Sequence, residues 1–276
     1  MTVPTFTRVL APLDGSELAE RGLGYAVRLA RALGVGLVLI RVVANRRQAP
    51  GARSYLQAAA RAAAAGLEAG IEVRCGDPVH EILAAERDGD LIVMTSHGAT
   101  GLERFLLGSV ADRVLRYGRA PVFLARAFQP PAAVLSPILV PLDGSQQAEA
   151  MLPYATLLAR MLGAELKLLR VIHVRAFDAV AYPPQIVEMT LEWERAEGRR
   201  YIERLVQALA AEGLRVRGSV REDEPFRAIV EAAGEEEGGF IAMATHARTG
   251  LVRTLLGSVA ASVAEHAPDP VLLLKV

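Results

Sequence analysis

The sequence predicts an α/β protein made of two doubly wound repeats, each with a five-stranded parallel sheet. Three observations predict it. Short runs that are apolar on both faces alternate with stretches that read as helices, the pattern of parallel strands covered on both sides. Two stretches recur: Leu10-Ala-Pro-Leu-Asp-Gly-Ser16 returns as Val140-Pro-Leu-Asp-Gly-Ser145, and the region Thr95–Val110 returns ending at Val259. The length of 276 residues then splits into two units close to the common domain size of about 100–150 residues.

In repeat one, Arg8–Leu13 is a continuous apolar strand ending at Asp14. Ser16 can cap a helix running to Leu33, with Glu17 in its first turn. Val35–Val43 is the second strand. Gly51–Ala69 is alanine-rich and reads as a helix, Ile71–Cys75 as the third strand. Asp77 and Pro78 start a short helix to Arg87, with proline in its tolerated first turn. Asp90–Met94 is the fourth strand, Ala111–Tyr117 a helix and Pro121–Ala125 the fifth strand. Phe128–Pro137 carries three prolines and reads as a linker. The expected division is therefore a domain over 1–127, a linker over 128–137 and a domain over 138–276. The strands of repeat two are Ile138–Leu142, Glu165–Ile172, Leu214–Val220, Gly239–Ala244 and Pro270–Lys275. A longer segment, roughly His173–Arg200, follows its second strand. Trp193 in that segment is expected to serve packing.

Composition narrows the function. Formal net charge is zero, so no polyanion partner is implied and nucleic acid is not expected. Cys75 is the single cysteine, which excludes an intrachain disulfide and suits a reducing compartment. No uncharged run reaches the roughly 18–20 residues of a membrane span, and no charged leader precedes an apolar core at the N-terminus. The expectation is a soluble, cytoplasmic protein without a membrane partner.

The stretch carrying chemistry is Thr95-Ser-His-Gly-Ala-Thr-Gly-Leu-Glu-Arg-Phe-Leu-Leu-Gly-Ser-Val110. It links the fourth strand to a helix and places Gly98, Gly101 and Gly108 in the connection, with Ser109 at the helix start. Glycine lets backbone N–H groups approach a ligand, and a helix N-terminus adds unpaired donors and a dipole that favours anions. Ser109 and Ser258 are both expected to cap their helices and to meet a phosphate. Two readings compete: a phosphate cradle, and a tight turn that packs a helix on a sheet. The length of the loop, about 13 residues against the usual 2–6 for such connections, favours the first. So does topology, because doubly wound sheets bind ligands where the winding reverses, which would bring Asp14 and Thr95 to one crevice.

Other chemistries lack their residues. No glycine-rich loop ends in Gly-Lys-Ser/Thr, no Gly-x-Gly-x-x-Gly follows the first strand, and Asp14-Gly-Ser16 is not the Gly-x-Ser-x-Gly nucleophile elbow. His80-Glu81 is not completed by a histidine, since position 84 is alanine. His97 and His246 stand one per loop, so a zinc site is not expected. For each, a loop hydrogen bond and a ligand contact stay open. No catalytic residue is assigned.

At these residues the chain resembles a tandem universal stress protein of the ATP-binding subgroup, over nearly its whole length. That subgroup carries Gly-x2-Gly-x9-Gly-Ser/Thr after strand four. Repeat one has Thr95-Ser-His-Gly98, nine residues, then Gly108-Ser109, and repeat two has Ala244-Thr-His-Ala247, nine residues, then Gly257-Ser258. The resemblance implies Rossmann-like domains and an ATP cradle in each repeat. Pro12, Leu13, Asp14 and Ser16, and their counterparts Pro141, Leu142, Asp143 and Ser145, would lie by the nucleoside. Val42 and Val171 would read adenine through their backbones. Met94, Thr95, His97, Gly98, Gly101, Arg104, Gly108, Ser109 and Val110 would form the phosphate side of repeat one. Met243, Ala244, His246, Gly250, Arg253, Gly257, Ser258 and Val259 would do so in repeat two. Arg104 and Arg253 are either γ-phosphate contacts or solvated loop arginines. ATP would bind with Mg²⁺ or Mn²⁺, with little or no hydrolysis. The alternatives are a scaffold whose second repeat is a degenerate copy, favoured by Ala247 and the Glu235-Glu-Glu237 run, and a slow ATPase. Family domains often pair through the fifth strand, so the chain is expected to form that pair within itself, and a homodimer between chains stays open.

Overall fold

The computed structural model describes residues 4–63, 66–96, 107–126, 134–173, 183–245 and 256–276. Repeat one contributes strands β1 (Arg8–Pro12), β2 (Gly36–Val43), β3 (Ala69–Cys75), β4 (Asp90–Thr95) and β5 (Val122–Ala125). Repeat two contributes β6 (Ile138–Leu142), β7 (Leu166–Ile172), β8 (Val216–Glu222), β9 (Phe240–Thr245) and β10 (Val271–Lys275). The helices of repeat one are α1 (Glu17–Leu33), α2 (Ala49–Ala63), α3 (Pro78–Ala85) and α4 (Ser109–Tyr117). Those of repeat two are α5 (Gln146–Glu149), α6 (Leu152–Leu162), α7 (Pro184–Ala211), α8 (Pro225–Gly234) and α9 (Ser258–His266).

The two expected five-stranded sheets are halves of one sheet, ordered β3-β2-β1-β4-β5-β10-β9-β6-β7-β8. Within each half the pairs are parallel. The halves join through β5 and β10, which run antiparallel with Phe123 opposite Leu272. In each half the first strand sits between the second and fourth, so the winding reverses between β1 and β4 and between β6 and β9. These are the crevices the doubly wound topology opens to a ligand.

Successive residues of a strand point to opposite faces. Val9 and Ala11 join the apolar core beneath α1, α2, α6 and α7, while Leu10 joins the core beneath α3, α4, α8 and α9. Both cores run across the junction of the repeats. Phe123 packs edge-on against Phe240 at 5.4 Å, and against Tyr25 at 5.6 Å. Covering both faces of the sheet in apolar side chains is what the continuous apolar strands require.

Several elements depart from the sequence expectation. Helix α2 ends at Ala63, not Ala69: Gly66 takes φ +76, which a helix cannot accommodate, and Ala69 already belongs to β3. Helix α3 ends at Ala85, before Arg87, because Glu86 already takes an extended backbone, with φ −60 and ψ 137, and hydrogen bonds hold the exit. Arg87 N–H donates to Asp90 Oδ2 at 2.8 Å, and Glu86 Oε1 accepts Arg119 N–H at 2.6 Å. Trp193 does not pack into a core; it stands on α7 at 62% exposure. Part of the expected linker and of the segment after β7, at 127–133 and 174–182, lies outside the described residues.

Two buried cations mark the halves as unequal. Arg8 at the start of β1 grips Asp90 of β4 with Nε to Oδ1 at 2.8 Å and Nη2 to Oδ2 at 2.5 Å. In repeat two, Lys167 of β7 donates to Ala232 O at 2.9 Å and pairs with Glu235 and Glu236. The Glu235-Glu-Glu237 run therefore neutralises a buried lysine, which accounts for two of its three carboxylates structurally.

Candidate functional site

The Asp-Gly-Ser turn after β1 is built from its own atoms. Asp14 Oδ1 accepts Ser16 N–H at 2.9 Å and Ser16 Oγ–H at 2.6 Å. Ser16 Oγ in turn accepts Ala19 N–H at 3.1 Å and caps α1. Gly15 takes φ +88, the left-handed region that favours glycine. Repeat two copies the turn: Asp143 Oδ1 accepts Ser145 N–H at 2.9 Å and Oγ–H at 2.5 Å, Ser145 Oγ accepts Ala148 N–H at 3.1 Å, and Gly144 has φ +84. The serines are thus spent on capping, and neither lines the cavity beside it.

Beneath the first turn, the Arg41 guanidinium lies 4.7 Å above the Tyr55 ring. Burial, with the Glu20 carboxylate beside it, pushes the Tyr55 phenol well above its ordinary range. In repeat two, Tyr201 occupies the matching place and donates to Glu149 Oε1 at 2.9 Å. Burial and that bond push its phenol up in the same way.

The helix after the long loop begins at Ser109, two residues before the expected Ala111. Gly108 and Gly257 are the N-caps, without a side-chain capping bond, and Ser109 and Ser258 are the first helical residues. The expectation that these serines cap is corrected: a serine at the first helical position is too far along to receive its own helix's amides. Each glycine is tied back to the preceding strand end. Gly108 N–H donates to Ser96 O at 2.6 Å, and Gly257 N–H donates to Thr245 Oγ1 at 3.1 Å.

A cavity of about 310 Å³ opens at the carboxyl ends of β1 and β4. Its walls include Pro12, Leu13, Asp14, Val42, Met94, Thr95, Gly108, Ser109 and Val110, nine of the residues anticipated from sequence. Repeat two has a cavity of about 870 Å³ walled by Pro141, Leu142, Asp143, Val171, Met243, Ala244, Gly257, Ser258 and Val259. Both volumes suit a small organic ligand. His97, Gly98, Gly101 and Arg104, with Ala247, His246, Gly250 and Arg253 in repeat two, lie outside the described residues.

Sequence reasoning missed the floor of each cavity. Ile40, Pro78 and Ile82 line the first, and Leu169, Pro225 and Ile229 line the second at matching positions. Their signal was available: Pro78 and Pro225 open short helices whose apolar isoleucine lies four residues on. The chemistry is consistent along each wall. One side is apolar, lined by Ile40, Val42 and Ile82 in repeat one and by Leu169, Val171 and Ile229 in repeat two. The other ends at the N-terminus of α4 or α9, where backbone N–H groups and the helix dipole favour an anion.

Asp14 and Asp143 are the carboxylates among the described lining residues. No group of three or more histidine, cysteine, aspartate or glutamate side chains gathers to hold a metal among the described residues. No described helix is long and apolar enough to cross a membrane.

Comparison with known proteins agrees with this architecture. The model of the Universal stress protein family matches twice, over residues 5–126 and 135–275. A universal stress protein of Mycolicibacterium smegmatis is 27% identical over 216 residues, covering 76% of this chain and 70% of that protein. One from Methanocaldococcus jannaschii is 32% identical over 139 residues, covering 50% of this chain and 81% of that protein. The crystal structure of a universal stress protein from Archaeoglobus fulgidus superposes with TM-score 0.71 at 25% identity, covering 97% of this chain and 98% of that one.

Proposed function

The chain belongs to the universal stress protein family, and from that premise we propose that it is a cytoplasmic stress-response protein that binds ATP, one molecule in each repeat. The observation that carries the proposal is the repetition of one cavity. Nine matched positions in each repeat line a cavity with an apolar wall and a glycine-capped helix N-terminus. In this reading the adenine lies against the apolar wall near Val42 or Val171. The phosphates reach the amides that open α4 or α9, with Ser109 or Ser258 Oγ as a further donor. A divalent ion, Mg²⁺ or Mn²⁺, would be held chiefly by the phosphates, with Asp14 or Asp143 as the nearest described carboxylate, and would supply charge neutralisation.

ATP acts here as a regulatory ligand. The described carboxylate of each wall, Asp14 or Asp143, is held by the serine of its own turn rather than aimed at a water, so turnover is expected to be slow or nil. That repeat two keeps a cavity of its own, walled at the nine matching positions, supports a second receptor over a degenerate copy.

The deciding experiment is calorimetric titration of Mg²⁺–ATP into nucleotide-free protein, repeated with Gly108→Val and Gly257→Val. Each substitution puts a branched side chain where backbone must approach the ligand. Two sites per chain, each lost with its own substitution, is the expected result. One site, lost only with Gly108→Val, would make repeat two a structural partner. Absence of binding would leave a scaffold.

A further inference from the structure

The last residue of the junction in each repeat is a cation that reaches across to the other repeat. Arg126 follows β5, is 7% exposed, and donates to the last turn of α9: Nη1 to Ala264 O at 2.9 Å and Nη2 to Val263 O at 3.0 Å. Its Nε also donates to Asp269 O at 2.9 Å. At the matching position of repeat two stands Lys275, the last residue of β10. Its Nζ donates to Arg116 O in the last turn of α4 at 3.1 Å. Lys275 is one of only two lysines in the chain.

These helices are the ones whose N-termini open the two cavities. Hydrogen bonds continue from each cation back to its own cavity. Ala125, beside Arg126, accepts Ser96 N–H at 3.1 Å, and Ser96 O accepts the N–H of Gly108, the cap of α4. Val276, beside Lys275, donates to Thr245 O at 3.1 Å, and Thr245 Oγ1 accepts the N–H of Gly257, the cap of α9. The two paths close a ring: cap of α4, β5, Arg126, foot of α9, cap of α9, β10, Lys275, foot of α4.

We propose that Arg126 and Lys275 are cross-repeat positioning residues, each seating the phosphate-facing helix of the opposite repeat. The proposal rests on the ATP-binding reading for its ligand, and on geometry alone for its anchoring. Two effects act in the same direction. A cation at a helix C-terminus offsets the negative end of the dipole and leaves the positive end to the anion. It also fixes the foot of a helix of nine residues, about 13 Å from its cap at roughly 1.5 Å per residue. Burial pulls the Arg126 guanidinium down to about 10, so it keeps its charge at neutral pH.

The test uses the full chain and resolves the sites. In a Gly108→Val background, which leaves only the repeat-two site, Arg126→Gln is expected to weaken Mg²⁺–ATP binding by about fivefold. In a Gly257→Val background, which leaves only the repeat-one site, Arg126→Gln is expected to change nothing. Lys275→Met should give the mirror result, and Arg126→Lys and Lys275→Arg should restore binding. Equal weakening at both sites, loss at the residue's own site, or no change would overturn the proposal.

Amide hydrogen exchange without nucleotide supplies an independent arm. Lys275→Met should speed exchange in Ser109–Tyr117 and leave Ser258–His266 unchanged; a uniform change or none would overturn the anchoring. If wild-type protein binds no ATP, the nucleotide reading fails, and the exchange result alone decides whether the anchoring stands. If Arg126→Gln does not fold, Lys275→Met, which removes one hydrogen bond, carries both arms.

Discussion

Gly22 of α1 lies so close to Thr95 of β4 that a β-carbon on it would stand 2.9 Å from Thr95 Cγ2. The pair sits directly behind the first cavity, whose wall includes Thr95. In repeat two the matching positions hold Met151, fully buried, and Ala244. The larger residue thus stands on the strand in repeat one and at the cap of α6 in repeat two.

This contact sets a sign reversal. Gly22→Ala should gain about 1 kcal/mol of helix propensity but lose about 1–3 kcal/mol to overpacking against Thr95, for net destabilisation. In a Thr95→Ala background the clash disappears, and Gly22→Ala should stabilise. Urea denaturation of the four proteins reads the cycle. Equal destabilisation in both backgrounds would show that the contact is not the cause.

The buried pair Arg8–Asp90 should be asymmetric to mutation. The Asp90 side chain is fully buried and Arg8 nearly so, so Asp90→Ala leaves an uncompensated guanidinium and should cost about 3–5 kcal/mol. Arg8→Met with Asp90→Leu removes both charges and should cost clearly less. Chemical denaturation midpoints decide the order; a double variant as damaged as Asp90→Ala would contradict it.

Acid stability should report on Glu235. Hydrogen bonds from Lys167 and then Arg221 lower its carboxyl from the ordinary 4.5 to about 2. A folded-state value below the unfolded one means stability fully present above about pH 4.5 and lost as pH falls toward 2. Glu235 is half exposed, so water screens the effect and its size is modest. Glu235→Gln should flatten the decline in melting temperature between those two values. An unchanged slope would show that other carboxylates govern it.

If ATP binds the folded chain, it must raise the melting temperature by mass action. At about 100-fold excess over Kd one site contributes roughly 2.7 kcal/mol, or a shift of about 5 °C or more for a chain of this size. Thermal melts with and without Mg²⁺–ATP should show it in wild type and show less in Gly108→Val. A shift of the same size with inorganic phosphate alone would point to an anion effect rather than a nucleotide.

Most of the strands were legible because a strand buried on both faces is a run of apolar residues that little else resembles. Helix ends were not. Alanine continues from α2 through position 65, so composition hides the end of the helix, which tertiary pairing of Ala69 with Leu37 and a left-handed Gly66 dictate. Trp193 misled because size and apolarity argue for burial, whereas exposure depends on which face of α7 meets the sheet. At the candidate site, the recurring motifs located the crevice but not Ile82 or Ile229, whose approach depends on how α3 and α8 pack. The ring through Arg126 and Lys275 had no local signal at all. Among the described residues, the side-chain hydrogen bonds of both go to positions far away in the sequence.

The antiparallel seam of β5 and β10 joins parts of a single polypeptide. Two separate chains paired along that seam would part on dilution; these cannot, because the covalent connection fixes their effective concentration. A symmetric pair would also receive every substitution twice. Here each half mutates alone, and the record is visible: Lys167 with Glu235 and Glu236 exists in one half, Arg8 with Asp90 in the other. The seam thus leaves the two cavities, one of about 310 Å³ and one of about 870 Å³, free to differ within a pair that always assembles.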